Sequence, residues 1–159
     1  MFGNILEAKK FEKFEEILEE NPNVINSMRG EYKRTFLMEA VEEKRFDIFN
    51  ELMKFPQDFS LVDEDGQNIL HWVGWSGDVR HLQMLEEKTT IESLINEESN
   101  IKFTPLHYAA WNNNHDVIRW LLQKGANPEA KNSDGERPDE FRDCDDVTKE
   151  IIRSFRSSW

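Results

Sequence analysis

The sequence predicts an all-α solenoid in which stacked helix–turn–helix units are joined by hairpin-like loops. The first observation is that similar helix starts recur along the chain with spacings of 33, 36 and 33 residues, at Thr35, Asn68, Thr104 and Arg137. The second is that the residues after these starts carry apolar side chains at helical spacing. Because one thin helix pair cannot bury its own apolar face, we expect neighbouring units to stack.

The unit that begins at Thr104 has the clearest pattern. Thr104 can cap the free amide groups of a helix, and Pro105 at the first helical position costs no hydrogen bond. The small residues at 109–110 permit close helix packing. A second helix is indicated by apolar residues at i, i+1, i+4 and i+5, which are Val117, Ile118, Leu121 and Leu122. Gly125 then supplies the left-handed conformation that ends a helix.

The segment T-P-L-H-Y-A-A at 104–110 resembles the ankyrin repeat, whose units of about 33 residues carry a T-P-L-H-x-A signature. The resemblance implies an ankyrin-repeat solenoid that covers the whole chain as one domain, 1–159. Its predicted parts are an N-terminal capping unit at 1–29, repeats at 30–62, 63–98 and 99–132, and a C-terminal capping unit at 133–159. The repeat at 99–132 matches best, whereas the repeat at 30–62 is degenerate but in register.

Two places depart from the regular repeat. The spacing of 36 residues implies about three inserted residues in the repeat at 63–98, near 88–90, where we expect an extra helical turn or a local bulge. In the C-terminal unit, the tripeptide at 138–140 is Pro-Asp-Glu where the family has P-L-H. A final helix is predicted from one apolar stripe, made of Val147, Ile151, Ile152, Phe155 and, at the end of the chain, Trp159.

Charge and cysteine content exclude several classes of protein. The net charge of −12 makes the chain a poor candidate for binding nucleic acid or an anionic membrane. A basic protein partner is favoured instead. The acidic residues are concentrated at 63–99, a segment that contains nine acidic and two basic residues. With one cysteine, no signal-peptide pattern and no run of 18 apolar residues, the sequence predicts a location in the cytosol or the nucleus.

Candidate chemical groups have structural explanations. The resemblance implies that His71 and His107 tie each helix start to the neighbouring hairpin, while His81 and His115 lack partners at a metal-ligand spacing. Cys144 lies among aspartates, which raise the pKa of a thiol and suppress its reactivity. We therefore expect a chain that is not an enzyme and has no cofactor and no metal.

Similar proteins bind partners on the concave surface, which is formed by the hairpin tips and by the exposed side of each first helix. Carrying those positions over predicts a partner-binding set of Tyr32, Arg34, Glu42, Glu43, Asp65, Gln67, Trp75, Ser76, Ile101, Phe103, Trp111 and Asn112. Trp75 and Trp111 occupy the same repeat position, so together with Ile101 and Phe103 they predict an exposed aromatic strip. The alternative is that both tryptophans fill gaps between repeats, next to Trp72 and Tyr108.

The leading functional hypothesis is a monomeric protein-interaction module, acting as an adaptor, an inhibitor or an assembly chaperone. Its partner would be another protein with a basic or apolar face. The second hypothesis is an acidic shield or escort for a basic protein, which binds mainly through charge. The two differ in salt dependence, because screening weakens a charge-driven complex much more than an aromatic one.

Overall fold

The structure, a computed structural model, describes residues 20–157. Seven complete α-helices lie within this range: α1 (Phe36–Glu42), α2 (Phe46–Leu52), α3 (Ile69–Ser76), α4 (Val79–Glu86), α5 (Pro105–Trp111), α6 (His115–Gln123) and α7 (Asp146–Arg156). Short 3₁₀ helices occupy Pro22–Asn26, Ile91–Ser93 and Pro138–Glu140. Residues 20–157 form no β-sheet, which confirms the all-α prediction.

The helices stack in two layers. The first helices of successive units, α1, α3 and α5, pack side by side, and the 3₁₀ helix at Pro138–Glu140 continues this row. Each is backed by its own second helix, and α4, α6 and α7 form the second row. The core lies between the two layers, where the equivalent residues Leu70 and Leu106 are fully buried.

Main-chain hydrogen bonds join the hairpin tips of neighbouring units. The amide of Glu64 donates to the carbonyl of Tyr32 at 3.0 Å, and that of Asn100 donates to the carbonyl of Asp65 at 2.8 Å. The amide of Ser133 repeats the pattern with the carbonyl of Ile101 at 3.0 Å. This row of bonds holds the tips in register along one edge of the stack.

The histidines of the repeat signature connect each helix start to the next hairpin, as predicted. The main-chain amide of Asn68 donates to Nδ1 of His71 at 3.1 Å, so Nε2 carries the ring proton and donates to the carbonyl of Phe103 at 2.9 Å. His107 makes the same pair of bonds, from the amide of Thr104 at 3.1 Å and to the carbonyl of Glu136 at 3.2 Å. The neutral imidazole satisfies both contacts.

These histidines predict a loss of stability in mild acid. Burial lowers the pKa of both His71 and His107 to about 4. A histidine in the unfolded chain titrates near pH 6.5, so between about pH 6.5 and pH 4 only the unfolded chain binds these protons. The stability contributed by the neutral rings is therefore complete above this window and falls as the pH drops through it.

We expect each of these two histidines to lower the free energy of unfolding by about 1 kcal/mol between about pH 7.5 and pH 5.5. The measurement is urea unfolding of the natural chain and of His107→Gln at both pH values. Other titrating groups cancel in this comparison, because both proteins contain them. Equal pH dependence of the two proteins would contradict the prediction.

Paired asparagine contacts join loops and turns of successive units outside the hairpin tips. The side-chain amide of Asn96 donates to the carbonyl of Gly125 at 3.0 Å, and its oxygen accepts from the amide of Asn127 at 2.8 Å. Asn26 and Asn113 each contact the following unit in the same two-point way. These residues lock successive loops together, a role that the sequence analysis did not assign to them.

The region of the predicted insertion contains an additional 3₁₀ turn, at Ile91–Ser93. Ile91, Leu94 and Ile95 are buried there and add to the core. The predicted N-terminal capping unit at 1–29 lies mostly outside the described residues, and so does Trp159.

Candidate protein-interaction surface

Trp75 and Trp111 lie at equivalent places near the ends of α3 and α5. Each side chain is 41% exposed. Their ring centroids are 5.9 Å apart with an interplanar angle of 88°, which is the edge-to-face arrangement that aromatic pairs favour. We call this pair, together with the exposed tip residue Ile101, the aromatic strip.

Each tryptophan also packs on buried aromatic rings. Trp75 contacts the ring of Tyr108 with centroids 6.1 Å apart, and Trp111 contacts Phe103 at 5.7 Å and Phe141 at 5.9 Å. One side of each indole therefore fills space in the stack while the remainder faces solvent. Both tryptophans are thus partly exposed and partly packed between repeats, and their role in partner binding stays a prediction.

The prediction that Phe103 forms part of the exposed strip is wrong. Its side chain is only 6% exposed, because it is stacked on Phe141 with ring centroids 5.4 Å apart. Phe141 belongs to the C-terminal unit, beyond the repeat that predicted the strip. Phe103 therefore supports Trp111 from below, and the exposed surface at this tip is supplied by Ile101.

A glycine allows α3 and α5 to approach closely enough for this arrangement. A Cβ atom placed on Gly74 would lie 2.5 Å from the carbonyl oxygen of Pro105 and 3.1 Å from the amide nitrogen of Ala109. Both obstacles are main-chain atoms of the neighbouring helix, so a side chain could not be accommodated by a rotamer change. The close approach brings the adjacent Trp75 next to Trp111.

A pocket of about 230 Å³ opens beside the aromatic strip. Trp75 is shared between the two, and the other walls are Arg34, Glu42, Gln67, Trp72 and Tyr108. The guanidinium carbon of Arg34 lies 4.2 Å from the ring centroid of Trp72 and 4.8 Å from that of Tyr32. Arg34 also forms an ion pair with Glu42.

The remaining predicted residues divide between exposed and structural positions. Tyr32, Glu43, Asp65 and Asn112 are exposed, although the side chain of Asn112 also donates to the carbonyl of Tyr108 at 3.0 Å. Ser76 has a structural contact, because its hydroxyl lies within hydrogen-bond distance of the carbonyls of residues 41 and 42 in the preceding unit. The structure thus brings Arg34, Glu42, Gln67 and Trp75 together around the pocket, places Trp75 against Trp111 and buries Phe103. That the set binds a partner stays a prediction.

A comparison with protein families decides the classification. Residues 37–132 match the family model described as "Ankyrin repeats (3 copies)". This chain belongs to the ankyrin-repeat family. Ankyrin repeats generally mediate protein–protein interaction, and the family is typically non-catalytic.

Several curated proteins are similar to this ankyrin-repeat chain. The E3 ubiquitin-protein ligase hecd-1 of Caenorhabditis elegans is 30% identical over 100 residues, which cover 62% of the chain and 4% of that protein. The nuclear factor NF-kappa-B p105 subunit of Rattus norvegicus is 28% identical over 109 residues, covering 69% and 11%. The human ankyrin repeat domain-containing protein SOWAHB is 36% identical over 77 residues, covering 46% and 10%. The chain thus spans a small fraction of the length of these relatives.

Trp72, Tyr108 and Phe141 are absent from the predicted set although they line or support the surface of this ankyrin-repeat chain. The signal for the first two was the three-residue spacing of Trp72 from Trp75 and of Tyr108 from Trp111, which places each pair on one side of a helix. Burial raises the pKa of the Tyr108 hydroxyl, so this wall of the pocket stays uncharged at neutral pH. Phe141 carried no such signal, because it follows a degenerate repeat start.

Cys144 is a free, buried cysteine in the described part of this ankyrin-repeat chain. Burial is the main cause that raises the pKa of Cys144 to about 11, with a smaller effect from Asp139 and Asp145. The sequence argument gave the direction of this shift correctly but attributed it to the aspartates alone. Residues 20–157 contain no cluster of metal-ligating side chains. No helix in the same range is long and apolar enough to cross a membrane.

Proposed function

We propose that this chain is a non-catalytic module that binds a partner protein through the aromatic strip and the hairpin tips next to it. Adaptor, inhibitor and assembly chaperone are the roles open to such a module. The proposal also includes a monomeric state and a location in the cytosol or the nucleus. It rests first on membership of the ankyrin-repeat family, whose repeats generally mediate protein–protein interaction.

The observation that carries the proposal is the exposure of Trp75 and Trp111 at equivalent positions of neighbouring repeats. Exposed tryptophans supply large contact areas and often dominate the energy of an interface. Their buried sides are fixed by aromatic contacts with Tyr108, Phe103 and Phe141. A rigid surface of this kind loses little side-chain entropy when a partner binds.

The test compares retention of partners by the natural chain and by the double variant Trp75→Ala, Trp111→Ala. We expect a partner held by the natural chain to bind the double variant at least roughly thirtyfold more weakly, because even one hot-spot residue contributes about 2 kcal/mol or more. The affinity is measured by calorimetry with the purified partner. Val147→Ala, an exposed apolar residue on α7 outside the predicted set, serves as the control and should bind normally.

Folding of the double variant is checked by circular dichroism before binding is measured. Its loss of affinity counts only if the helical signal and cooperative unfolding are retained. Unchanged affinity in the folded double variant would contradict the proposal that the aromatic strip is the binding site.

The acidic shield is kept as the second candidate function because Glu64 and Asp65 are exposed on the hairpin tip of the acidic segment. Other acidic residues of the same segment already have partners within the chain. Asp63 accepts a hydrogen bond from the Trp72 indole at 3.0 Å, and Glu97 accepts one from the Asn68 side chain at 2.8 Å. Binding that survives in the double variant and disappears with added salt would favour this candidate.

A further inference from the structure

The pocket beside the aromatic strip combines aromatic side chains with one carboxylate group, that of Glu42. Trp72, Trp75 and Tyr108 form three of its walls, and Glu42 lies on the rim. The face of an aromatic ring attracts a cation through its quadrupole, and the attraction grows when the cation is shielded from water. The pocket therefore has the two features that hold a positively charged side chain.

The chain already places a cation of its own against one of these walls. Arg34 lies over the face of Trp72 and forms an ion pair with Glu42. Arg34 is itself one wall, and the empty volume is also bounded by Trp75, Tyr108 and Gln67. This internal contact shows that the walls accommodate a guanidinium group.

Charges around the pocket are predominantly negative. Besides Glu42, the carboxylates of Asp63 and Asp65 interact with the Tyr108 hydroxyl, and Glu39 interacts with Arg34, Glu42 and Glu43. Glu39 also interacts with two bases, Arg29 and Arg34. A second cation entering the pocket therefore meets a favourable field.

We propose that the pocket receives a single arginine or lysine side chain of the partner, whose neighbouring apolar residues lie on the aromatic strip. This inference rests on the proposed function, because it names the chemistry of the partner at the same surface. Trp75 belongs to both the pocket and the strip, so one short segment of the partner can fill both. The recognised feature is a basic residue next to an apolar one.

The opposite occupant, a carboxylate on Arg34, is the main alternative. The Nε atom of Arg34 has no hydrogen-bond partner among the described residues, so it is free to donate to an acceptor oxygen of a ligand. The net negative charge of the surroundings and the ion pair with Glu42 disfavour an anion. The two alternatives predict opposite effects of removing Arg34.

The experiment uses the full chain with ¹⁵N-labelled tryptophan and follows the indole N–H resonances by nuclear magnetic resonance at constant ionic strength. The probes are N-acetyl-arginine amide, N-acetyl-lysine amide, the uncharged N-acetyl-citrulline amide and the acidic N-acetyl-glutamate amide. We expect the two cationic probes to shift the resonance of Trp75 saturably, with roughly millimolar affinity for so small a ligand. The buried Trp120 reports non-specific effects and should not respond.

Two variants should change the affinity for N-acetyl-arginine amide in opposite directions. Arg34→Gln removes the competing internal cation and should tighten binding roughly threefold or more, whereas Glu42→Gln should weaken it by a similar factor. Glu92→Gln, which removes an exposed carboxylate in the 3₁₀ helix at Ile91–Ser93, is the matched control and should leave the affinity unchanged.

The inference is overturned if no cationic probe shifts Trp75, if the citrulline derivative binds as well as the arginine derivative, or if Arg34→Gln weakens binding. Preferential binding of the acidic probe would assign the pocket to an anion instead. None of these results affects the test of the aromatic strip, because partner affinity of the tryptophan double variant is measured separately. A failure of the inference about the pocket can thus be distinguished from a failure of the proposal that the aromatic strip binds the partner.

Discussion

Gly74→Ala is expected to lower the free energy of unfolding by about 3 kcal/mol, at the upper end for an overpacked site. Alanine normally stabilises a helix by about 1 kcal/mol relative to glycine, so local helix preference alone predicts the opposite sign. Steric repulsion should prevail because the new Cβ would lie 2.5 Å from the carbonyl oxygen of Pro105, a main-chain atom that cannot move without displacing α5. Urea unfolding followed by circular dichroism measures the change.

A control separates the steric effect from helix preference. Asn50→Ala changes an exposed position inside α2 and should stabilise the protein by a few tenths of a kcal/mol. If Gly74→Ala also stabilises the protein, the close approach of α3 and α5 is not a feature of the fold. If it destabilises as expected, the separation of the two helices should also increase, and partner binding should weaken through the displaced Trp75.

The helix starts could be predicted from the sequence because their stabilising contacts are local. Asn68 accepts hydrogen bonds from the amides of Leu70 and His71, only two and three residues away. The spacing of such starts also gave the stacking, since each unit must cover the apolar face of its neighbour. Trp75 and Trp111 fell on one face for the same reason, because equivalent repeat positions lie side by side in adjacent units.

Contacts between chemically unequal units could not be predicted in this way. Phe103 has the repeat position of an exposed tip residue, yet it is covered by Phe141 from the irregular C-terminal unit. The pocket likewise depends on Arg34, which contacts Trp72 of the next repeat across 38 positions of sequence. Repeat spacing specifies which positions of adjacent units are neighbours. It does not specify which side chains of those units contact each other.

Asp139 shows how the C-terminal unit departs from the repeat. It occupies the position of the buried leucines Leu70 and Leu106. Although it carries a carboxylate, its side chain is likewise buried, with only 1% exposed. A buried carboxylate needs charged or hydrogen-bonding partners. Arg153 and Arg156 supply them from α7, the first through a hydrogen bond of 2.9 Å from Nε.

Arg137, just before Asp139, adds a third positive charge with its Nε atom 3.8 Å from the carboxylate. The three arginines thus surround with positive charge a position that holds a buried leucine in the two preceding repeats. The sequence could not show this, since α7 reads as an ordinary amphipathic helix.

Asp139→Asn is therefore expected to destabilise the chain by about 3 kcal/mol, because removing one partner of a buried ion pair leaves the others uncompensated. The value lies at the lower end for such pairs, because water still reaches the side chain of Arg153, which is 60% exposed. Urea unfolding measures it, with the exposed Asp146→Asn as the control, which should change stability by less than about 1 kcal/mol.

A second measurement asks whether the loss of stability in Asp139→Asn comes from arginines left without their negative partner or from the buried polar side chain itself. If the arginines matter only as partners of Asp139, the combined variant Asp139→Leu, Arg153→Met should be more stable than Asp139→Asn, because it replaces part of the ion pair with apolar contacts. A leucine at this position also restores the family's residue. If instead Asp139→Asn is as stable as the natural chain, the arginines of α7 do not hold the last unit in place, and its apolar residues Ile151 and Ile152 must suffice.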